Sequence, residues 1–229
     1  MGDTPEAYPI VTITKEVVGS AEQRLIGSYS GDDIPVQVDL YKVVVTDTED
    51  PNFQMTFMTT RDAFTVLPGD DKGNVLTISN TAFEPKDGNV NHYTAVVIPG
   101  GYPKGQGTTA FKLTQNGSEV MSAAPNESAA EAGTRTKSNV ATGVMQHVGG
   151  NYIYKSGEKH LAASEGCFGV VNKGNSSTHP SNIVSNQVMN RIIKQTNKSK
   201  TNPGKIEYLI EKRNSIPDKI KINMNGKKI

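Results

Sequence analysis

The feature that most constrains the fold is a two-residue alternation of apolar and polar side chains in short runs rich in β-branched residues. Residues 10–14 have the sequence Ile-Val-Thr-Ile-Thr, and residues 36–43 continue the alternation. Because successive side chains of a strand point to opposite faces of a sheet, this pattern predicts strands with one buried and one solvated face. Residues 53–66 extend the pattern and predict two strands that bend near Arg61-Asp62. Further strands are predicted at 75–78, 92–98, 110–113, 144–148 and 206–210.

One segment has the spacing of a convincing helix, and it follows most of the predicted strands. From Asn182 to Thr196 the apolar side chains recur near helical spacing, and Ser181 or Asn182 can cap the start. Residues 118–137 are rich in Ala, Ser, Glu and Asn, which predicts a lid-like loop, with a short helix at 127–132 as the alternative. The predicted fold class is therefore mainly β, of the β-rich α+β kind, with one packed helix near 182–196.

The chain of 229 residues contains one cysteine, Cys167, and four histidines. A single cysteine excludes an internal disulfide framework and a multi-cysteine zinc site, and the histidines lack the spacing of metal ligands. We therefore predict no metal and no cofactor. No apolar run has the length of a membrane span, and the first residues lack the basic and apolar regions of a signal peptide.

The net charge of +1 conceals a division of the chain into a basic and an acidic part. Residues 182–229 contain 11 of the 24 basic residues and three of the 23 acidic residues. A basic part of this kind can serve an anionic partner or can be a solvated helix face followed by a lysine-rich tail. Few aromatic residues accompany the basic ones, so no stacking platform for bases is visible and no nucleic-acid partner is predicted.

The segment that points to chemistry pairs His147 with the lone Cys167. A thiol must lose its proton before it attacks a carbonyl, and histidine is its usual partner. His147 lies on a predicted strand twenty positions before Cys167, and Gly166 directly precedes the cysteine. Glycine permits a sharp turn there, so that backbone amides can face a developing oxyanion. Non-catalytic interpretations remain open, in which Cys167 is a small buried apolar residue and His147 is a hydrogen-bonded strand residue.

This arrangement resembles the catalytic motif of the L,D-transpeptidases, in which a histidine precedes a Ser/Thr-His-Gly-Cys turn by a similar distance. His147 matches the first histidine, and Ser164, Gly166 and Cys167 match the turn. Glu165 replaces the second histidine, and Phe168-Gly169 replaces the usual pair of a hydrophobic residue and Arg or Asn. With its relaxed Ser-x-Gly-Cys turn, the sequence looks closer to phage-associated proteins and antibacterial effectors of type VI secretion than to the housekeeping enzymes of the family. The resemblance covers about 25 residues and implies a β-sandwich or barrel.

The resemblance also implies roles for these residues. Cys167 would be the nucleophile and His147 the base that accepts its proton and later protonates the leaving amine. The backbone carbonyl of Ser164 would orient the His147 ring, and the N–H groups of Gly166 and Cys167 would form the oxyanion hole. The reaction would be acyl transfer on a peptidoglycan stem peptide, giving transpeptidation or D-amino-acid exchange with an amine and carboxypeptidase activity with water.

Four further residues are expected to line the substrate site because they flank these groups: Gly149, Asn151, Tyr152 and Glu165. His160, seven residues before Cys167, is the less favoured alternative base. We expect residues 1–90 to be an N-terminal β segment packed into the same domain, residues 91–213 to be the catalytic core, and residues 214–229 to be a basic C-terminal tail.

The predicted substrate lies outside the cytoplasm, whereas no signal peptide is recognised. The chain is then either a trimmed mature form or is exported by a machine that needs no such signal and delivers it to the periplasm or cell wall. The second route favours a secreted antibacterial effector and implies a cognate immunity protein. Two other classes of function stay open: a non-enzymatic β-rich module of a secretion or phage tail apparatus, and a thiol peptidase that acts on proteins.

Overall fold

The computed structural model of the chain describes residues 8–25, 34–66, 75–86, 88–98, 109–127, 137–149, 151–153, 159–161, 166–171, 182–216 and 219–229. These residues form 15 strands and one helix, in the order β1 (Pro9–Arg24), β2 (Pro35–Asp47), β3 (Gln54–Thr60), β4 (Phe64–Val66), β5 (Val75–Asn80), β6 (Val90–Val97), β7 (Ala110–Thr114), β8 (Val120–Glu127), β9 (Lys137–Thr142), β10 (Met145–Val148), β11 (Asn151–Ile153), β12 (Lys159–Leu161), β13 (Phe168–Val171), α1 (Asn182–Thr196), β14 (Ile206–Glu211) and β15 (Lys219–Asn223). The prediction of a mainly β fold with one helix is confirmed, whereas the family's sandwich or barrel stays a prediction.

The largest sheet has ten strands, and eight of them form a closed circuit. The pairings run β1, β14, β6, β7, β10, β13, β3 and β2, and β2 pairs again with β1. Only the β1–β14 and β10–β13 pairings of this circuit are parallel. Strand β12 adds to β1 where Gln23 lies opposite Leu161, and β11 adds to β12. Closure gives each of the eight strands a paired neighbour on both sides over at least part of its length.

The predicted alternation decides which face of each strand is buried. In β1, Val11 and Ile13 are fully buried, and in the antiparallel partner β2 they lie opposite Val45 and Val43, which are buried as well. These side chains join the main hydrophobic core with residues from β6, β7, β13, β14 and α1. Burial of apolar surface on this face is the main force that holds the circuit together.

The bend predicted near Arg61-Asp62 separates β3 from β4 and moves the chain into a second sheet. That sheet has the order β15, β5, β4 and buries Leu76, Ile78 and Ile222 in a separate core. Because β15 supplies Ile222, the segment 214–229 adds an ordered strand to this sheet as well as its basic side chains.

Residues 118–137, expected to form a lid-like loop, differ from that expectation. Strand β8 pairs with β9 as an antiparallel hairpin, and Met121 of β8 is fully buried in the main core. Small side chains at Ala123 and Ala141 let the hairpin pack against this core, a contact that composition alone does not predict. The alternative helix at 127–132 begins at the last residue of β8, and the rest of it lies outside the described residues.

The helix α1 has the bounds predicted from its sequence and covers one end of the strand circuit. Met189 and Ile192 are fully buried in the main core, and the helix packs against β1, β10 and β13. Two polar side chains attach it to the strands: Asn186 Oδ1 accepts from the Thr109 N–H at 3.1 Å, and Gln195 Nε2 donates to Asp47 at 3.1 Å. We call this end, where β7 and β14 begin and β2 and β10 end, the helix end. Among the described residues, no helix has both the length and the apolar character needed to cross a bilayer.

Candidate functional site

The parallel pairing of β10 with β13 determines where His147 and Cys167 lie. His147 lies opposite Gly169, and Cys167 is two residues before Gly169, directly before β13 begins. From the strand spacing and the rise per residue, the Cα atoms of His147 and Cys167 are about 8 Å apart. The neighbours Gln146 and Val148 are buried, so His147 projects from the opposite face of β10. The fold thus brings His147 onto the strand next to the one that Cys167 directly precedes.

The His147 imidazole has a defined tautomer. Its Nδ1 lies 2.8 Å from the Val148 carbonyl oxygen, which can only accept, so Nδ1 carries the proton and Nε2 is the nitrogen that can act as a base. Protein atoms surround the ring although the residue keeps some solvent contact, and this desolvation lowers the pKa of His147, with the Val148 hydrogen bond acting in the opposite direction. His147 is therefore neutral at physiological pH, as a general base must be.

Cys167 is a partly exposed thiol that lies directly before β13, at the end of that strand farther from α1. Its Sγ lies 3.9 Å from the carbonyl oxygen of Gly143, a glycine with φ of 66° in the turn that precedes β10. This contact points toward the start of β10, whereas the Nδ1 contact of His147 points toward its end. Cys167 thus directly precedes the strand that neighbours His147, and a direct contact between Sγ and the imidazole stays a prediction.

Gly166 provides the sharp turn expected before the cysteine. Its φ is 110°, a conformation that side-chain-bearing residues rarely adopt, and a Cβ at this position would come within 2.7 Å of the Thr81 carbonyl oxygen. The buried backbone of Gly166 thus packs directly against residues 81–83. The conformation of the turn and this close neighbour both require glycine.

Two other glycines near the site are explained by packing. Gly149 is buried, its N–H donates to the Val170 carbonyl at 2.8 Å, and a Cβ there would lie 2.9 Å from that same oxygen. The predicted role of Gly149 in binding substrate stays a prediction. A Cβ on Gly169 would lie only 2.9 Å from the hydroxyl oxygen of Thr60. Thr60 therefore accounts for the glycine that stands where the family pattern has Arg or Asn.

The remaining predicted site residues are described only in part. Ser164 and Glu165 lie outside the described residues. Asn151 and Tyr152 are described as backbone in β11, where Tyr152 lies opposite His160 of β12. His160 thus lies on the short strand β12.

We call Gly166 and Cys167 the Cys167 turn. The sequence did not predict a group of four buried charged side chains close to this turn, which we call the charge cluster: Arg61, Asp62, Glu84 and Arg213. Arg213 donates through Nε to Glu84 at 2.8 Å and through Nη1 to Asp62 at 2.7 Å, while Arg61 Nη2 lies 3.3 Å from Glu84. The guanidinium carbons of both arginines lie over the Tyr41 ring, at 5.3 and 5.2 Å from its centroid.

The two arginines of the charge cluster respond differently to burial. Burial lowers the pKa of Arg61 to about 10, because the attraction of Glu84 offsets only part of the desolvation and Arg213 opposes its charge. Arg213 is also desolvated, but the neighbouring carboxylates of Asp62 and Glu84 raise its pKa above the usual value. Both guanidinium groups stay charged at neutral pH, which makes the cluster a set of mutually dependent ion pairs.

Three comparisons with known proteins complete the description of the site. No protein-family model, no curated protein and no solved structure matches the chain. Within the described part of the chain, no three His, Cys, Asp or Glu side chains come together in a way that could hold a metal ion. Any chemistry assigned to the protein therefore depends on the described residues and on the resemblance of the Cys167 motif to that of the L,D-transpeptidases.

Proposed function

We propose that the protein is a cysteine-dependent acyl transferase that acts on peptidoglycan stem peptides. The observation that supports this most is the parallel register of β10 and β13. His147, the base candidate, lies opposite Gly169, and the nucleophile candidate Cys167 is two positions before Gly169. The neutral imidazole, the partly exposed thiol and the positive φ of Gly166 fit the same chemistry. The peptidoglycan substrate comes from the resemblance to the L,D-transpeptidase motif.

In this reaction His147 Nε2 takes the Cys167 proton, and the thiolate attacks the carbonyl carbon of the residue before a terminal D-amino acid. The peptide bond to that amino acid breaks, and its amine leaves with the proton that His147 returns. The N–H groups of Gly166 and Cys167 stabilise the tetrahedral oxyanion. An amine then accepts the acyl group in transpeptidation or exchange, or water accepts it in hydrolysis, and the thiol is restored.

The test is mass analysis of purified peptidoglycan tetrapeptides after incubation with the wild-type protein, with Cys167→Ala and with His147→Gln. We expect loss or exchange of the terminal D-amino acid, or new cross-links, with the wild type alone. His147→Asn should also be inactive, because its shorter amide retains polarity but cannot accept the thiol proton. Products that persist in Cys167→Ala, or no products with the wild type, would contradict the proposal.

We also propose delivery to the cell wall of a target bacterium, with a cognate immunity protein in the producing cell. Expression directed to the periplasm should then be harmful with the wild type and harmless with Cys167→Ala. A periplasmic wild-type protein that leaves growth unchanged would argue against a role as an antibacterial effector, although not against cell-wall chemistry itself.

A second candidate is a non-enzymatic β-rich structural or binding module. It is favoured by the described contacts of His147 and Cys167, because each reaches a backbone carbonyl, as a side chain with a structural role does. In this case Cys167 resists alkylation by iodoacetamide in the folded protein, and Cys167→Ala changes only stability. The third class, a thiol peptidase, predicts cleavage of ordinary L-peptides by the wild type and not by Cys167→Ala.

A further inference from the structure

We propose that Arg213 is a positioning residue for the Cys167 turn, acting through residues 80–84, which we call the support segment. This inference rests on the proposed function for its catalytic meaning, but its effect on the thiol can be measured without any substrate. The support segment links β5 to the charge cluster and contacts the turn on both sides of Cys167.

The first step is the contact between the support segment and the turn. A Cβ on Gly166 would lie 2.7 Å from the Thr81 oxygen and 3.6 Å from the Phe83 nitrogen, so the two backbones touch without an intervening side chain. On the other side of the cysteine, the Phe83 ring meets the Phe168 ring edge to face, with centroids 6.3 Å apart. A shift of the support segment is therefore transmitted to the residues before and after Cys167.

The second step is the attachment of the start of the support segment. The Asn80 side-chain oxygen accepts from the Ala82 N–H at 3.0 Å, and the Thr81 N–H donates to the Ala63 carbonyl at 2.7 Å. Asn80 Nδ2 donates to Asp62 at 2.9 Å. The start of the segment is thus bound to the residues that separate β3 from β4.

The third step is the attachment of the end of the segment through Glu84. Its carboxylate accepts from the Arg213 N–H at 2.6 Å and from Arg213 Nε at 2.8 Å. Through Nη1 the same guanidinium also binds Asp62, the residue that holds Asn80. Arg213 therefore connects both ends of the support segment, and its planar fork makes these bonds in a fixed geometry that an ammonium group cannot reproduce.

The consequence for the site concerns the backbone amides of Gly166 and Cys167. A support segment that shifts when Arg213 is replaced displaces the turn, and with it the orientation of the proposed oxyanion donors and of Sγ. Because displacement of a reacting group by about 1 Å can cost about a hundredfold in rate, a small shift is enough to lower turnover. Arg213 itself is bonded to Glu84, Asp62 and Tyr41, so it acts through these contacts.

The experiment compares Arg213→Lys with Arg191→Lys, a matched control on an exposed arginine of α1 that lies over the Phe53 ring. The rate of Cys167 alkylation by iodoacetamide is measured between pH 6 and pH 10, on protein whose folding is verified by circular dichroism and thermal unfolding. We expect Arg213→Lys to change the alkylation rate several-fold and to move its pH profile, and to lower kcat by about tenfold at nearly unchanged KM. The control should match the wild type in all of these measurements.

A second variant keeps the test decisive if Arg213→Lys does not fold. Phe83→Leu retains an apolar side chain but removes the edge contact with Phe168, and it should move the alkylation profile in the same direction by a smaller factor. If the folded variants show the wild-type alkylation profile and kcat, the inference is wrong while the proposed function stands. If the profile shifts but the wild type has no activity on peptidoglycan fragments, positioning of the thiol is supported and the proposed function fails.

Discussion

The two ends of the strand circuit are closed by opposite kinds of interaction. At the helix end, the apolar side chains of α1, among them Met189 and Ile192, fill the space between the strands. At the other end, which we call the cluster end, Arg61, Asp62, Glu84 and Arg213 are buried and joined by hydrogen bonds. Apolar packing is non-directional and tolerates similar shapes, whereas buried charges depend on every partner being present. The cluster end is therefore expected to be the more sensitive to substitution and the better able to hold a backbone in one position.

The largest effect is expected at the cluster end, for Arg213→Met. The substitution keeps an unbranched apolar stem but removes the guanidinium and leaves two buried carboxylates without their main partner, which should lower the free energy of unfolding by about 3–5 kcal/mol. Urea unfolding followed by circular dichroism measures this loss. Glu16→Gln, in the exposed pair that Glu16 forms with Lys42 at 3.0 Å, is the control and should change it by less than about 1 kcal/mol.

The second effect tests the helix end, with Met189→Ala. Removing this fully buried side chain leaves a cavity in the main core and should lower the free energy of unfolding by about 2–4 kcal/mol. Ile192→Val removes one methyl group from the same surface and should cost about 1 kcal/mol. If Met189→Ala proves more damaging than Arg213→Met, the proposed difference between the two ends does not hold.

The third prediction separates backbone strain from close packing at the Cys167 turn. In Gly166→Ala the new methyl group would strain a backbone with a φ of 110° and would also clash with the Thr81 carbonyl oxygen. We therefore expect a loss of about 2–3 kcal/mol in unfolding free energy. Gly204→Ala has a φ of 85° but open space around the new methyl group, and it should cost about 1 kcal/mol. Equal losses in the two variants would mean that Thr81 and the support segment do not press on the turn.

The smallest effect concerns pH and His147, which lies nearer the helix end than Cys167 does. Burial lowers the pKa of His147 in the folded protein below its ordinary value of 6.5, so the unfolded chain binds the proton more readily. This contribution to stability is fully present above pH 6.5 and is lost as the pH falls through the lower, folded pKa. His147→Gln should weaken the loss of stability between pH 7.5 and pH 5 in thermal unfolding, and an unchanged pH dependence would show that the ring is not desolvated.

Much of the local structure could be predicted from the sequence. The bounds of α1 and the break between β3 and β4 follow from periodicity and from residues within a few positions of each other. The hairpin of β8 and β9 was missed because small and polar side chains give a weak alternation, and only its contact with the main core shows which face is buried. At the candidate site, His147 and Cys167 were found from a motif, whereas the role of Thr60 beside Gly169 has no sequence signal.

The charge cluster shows most clearly what local patterns cannot predict. Arg213 bonds to Glu84 and Asp62 across 129 and 151 residues of chain. None of the four residues gave a sign of a buried role in the sequence, because an isolated charge in a sequence is most often solvated. These charges are neighbours only because the ends of β3, β5 and β14 converge. Burial there leaves each charge dependent on the others for its hydrogen bonds.

By itself, the sequence determined the helix and many of the strands and suggested a chemical type for the candidate site, because alternation, capping and turn-forming residues act within a few positions. The tertiary structure alone decided the closure of the circuit, the parallel pairing that places His147 beside Gly169, and the support segment beneath the Cys167 turn. The physical reason is that these features depend on hydrogen bonds and burial between distant residues, whose strength is set by the assembled interior and by no local pattern.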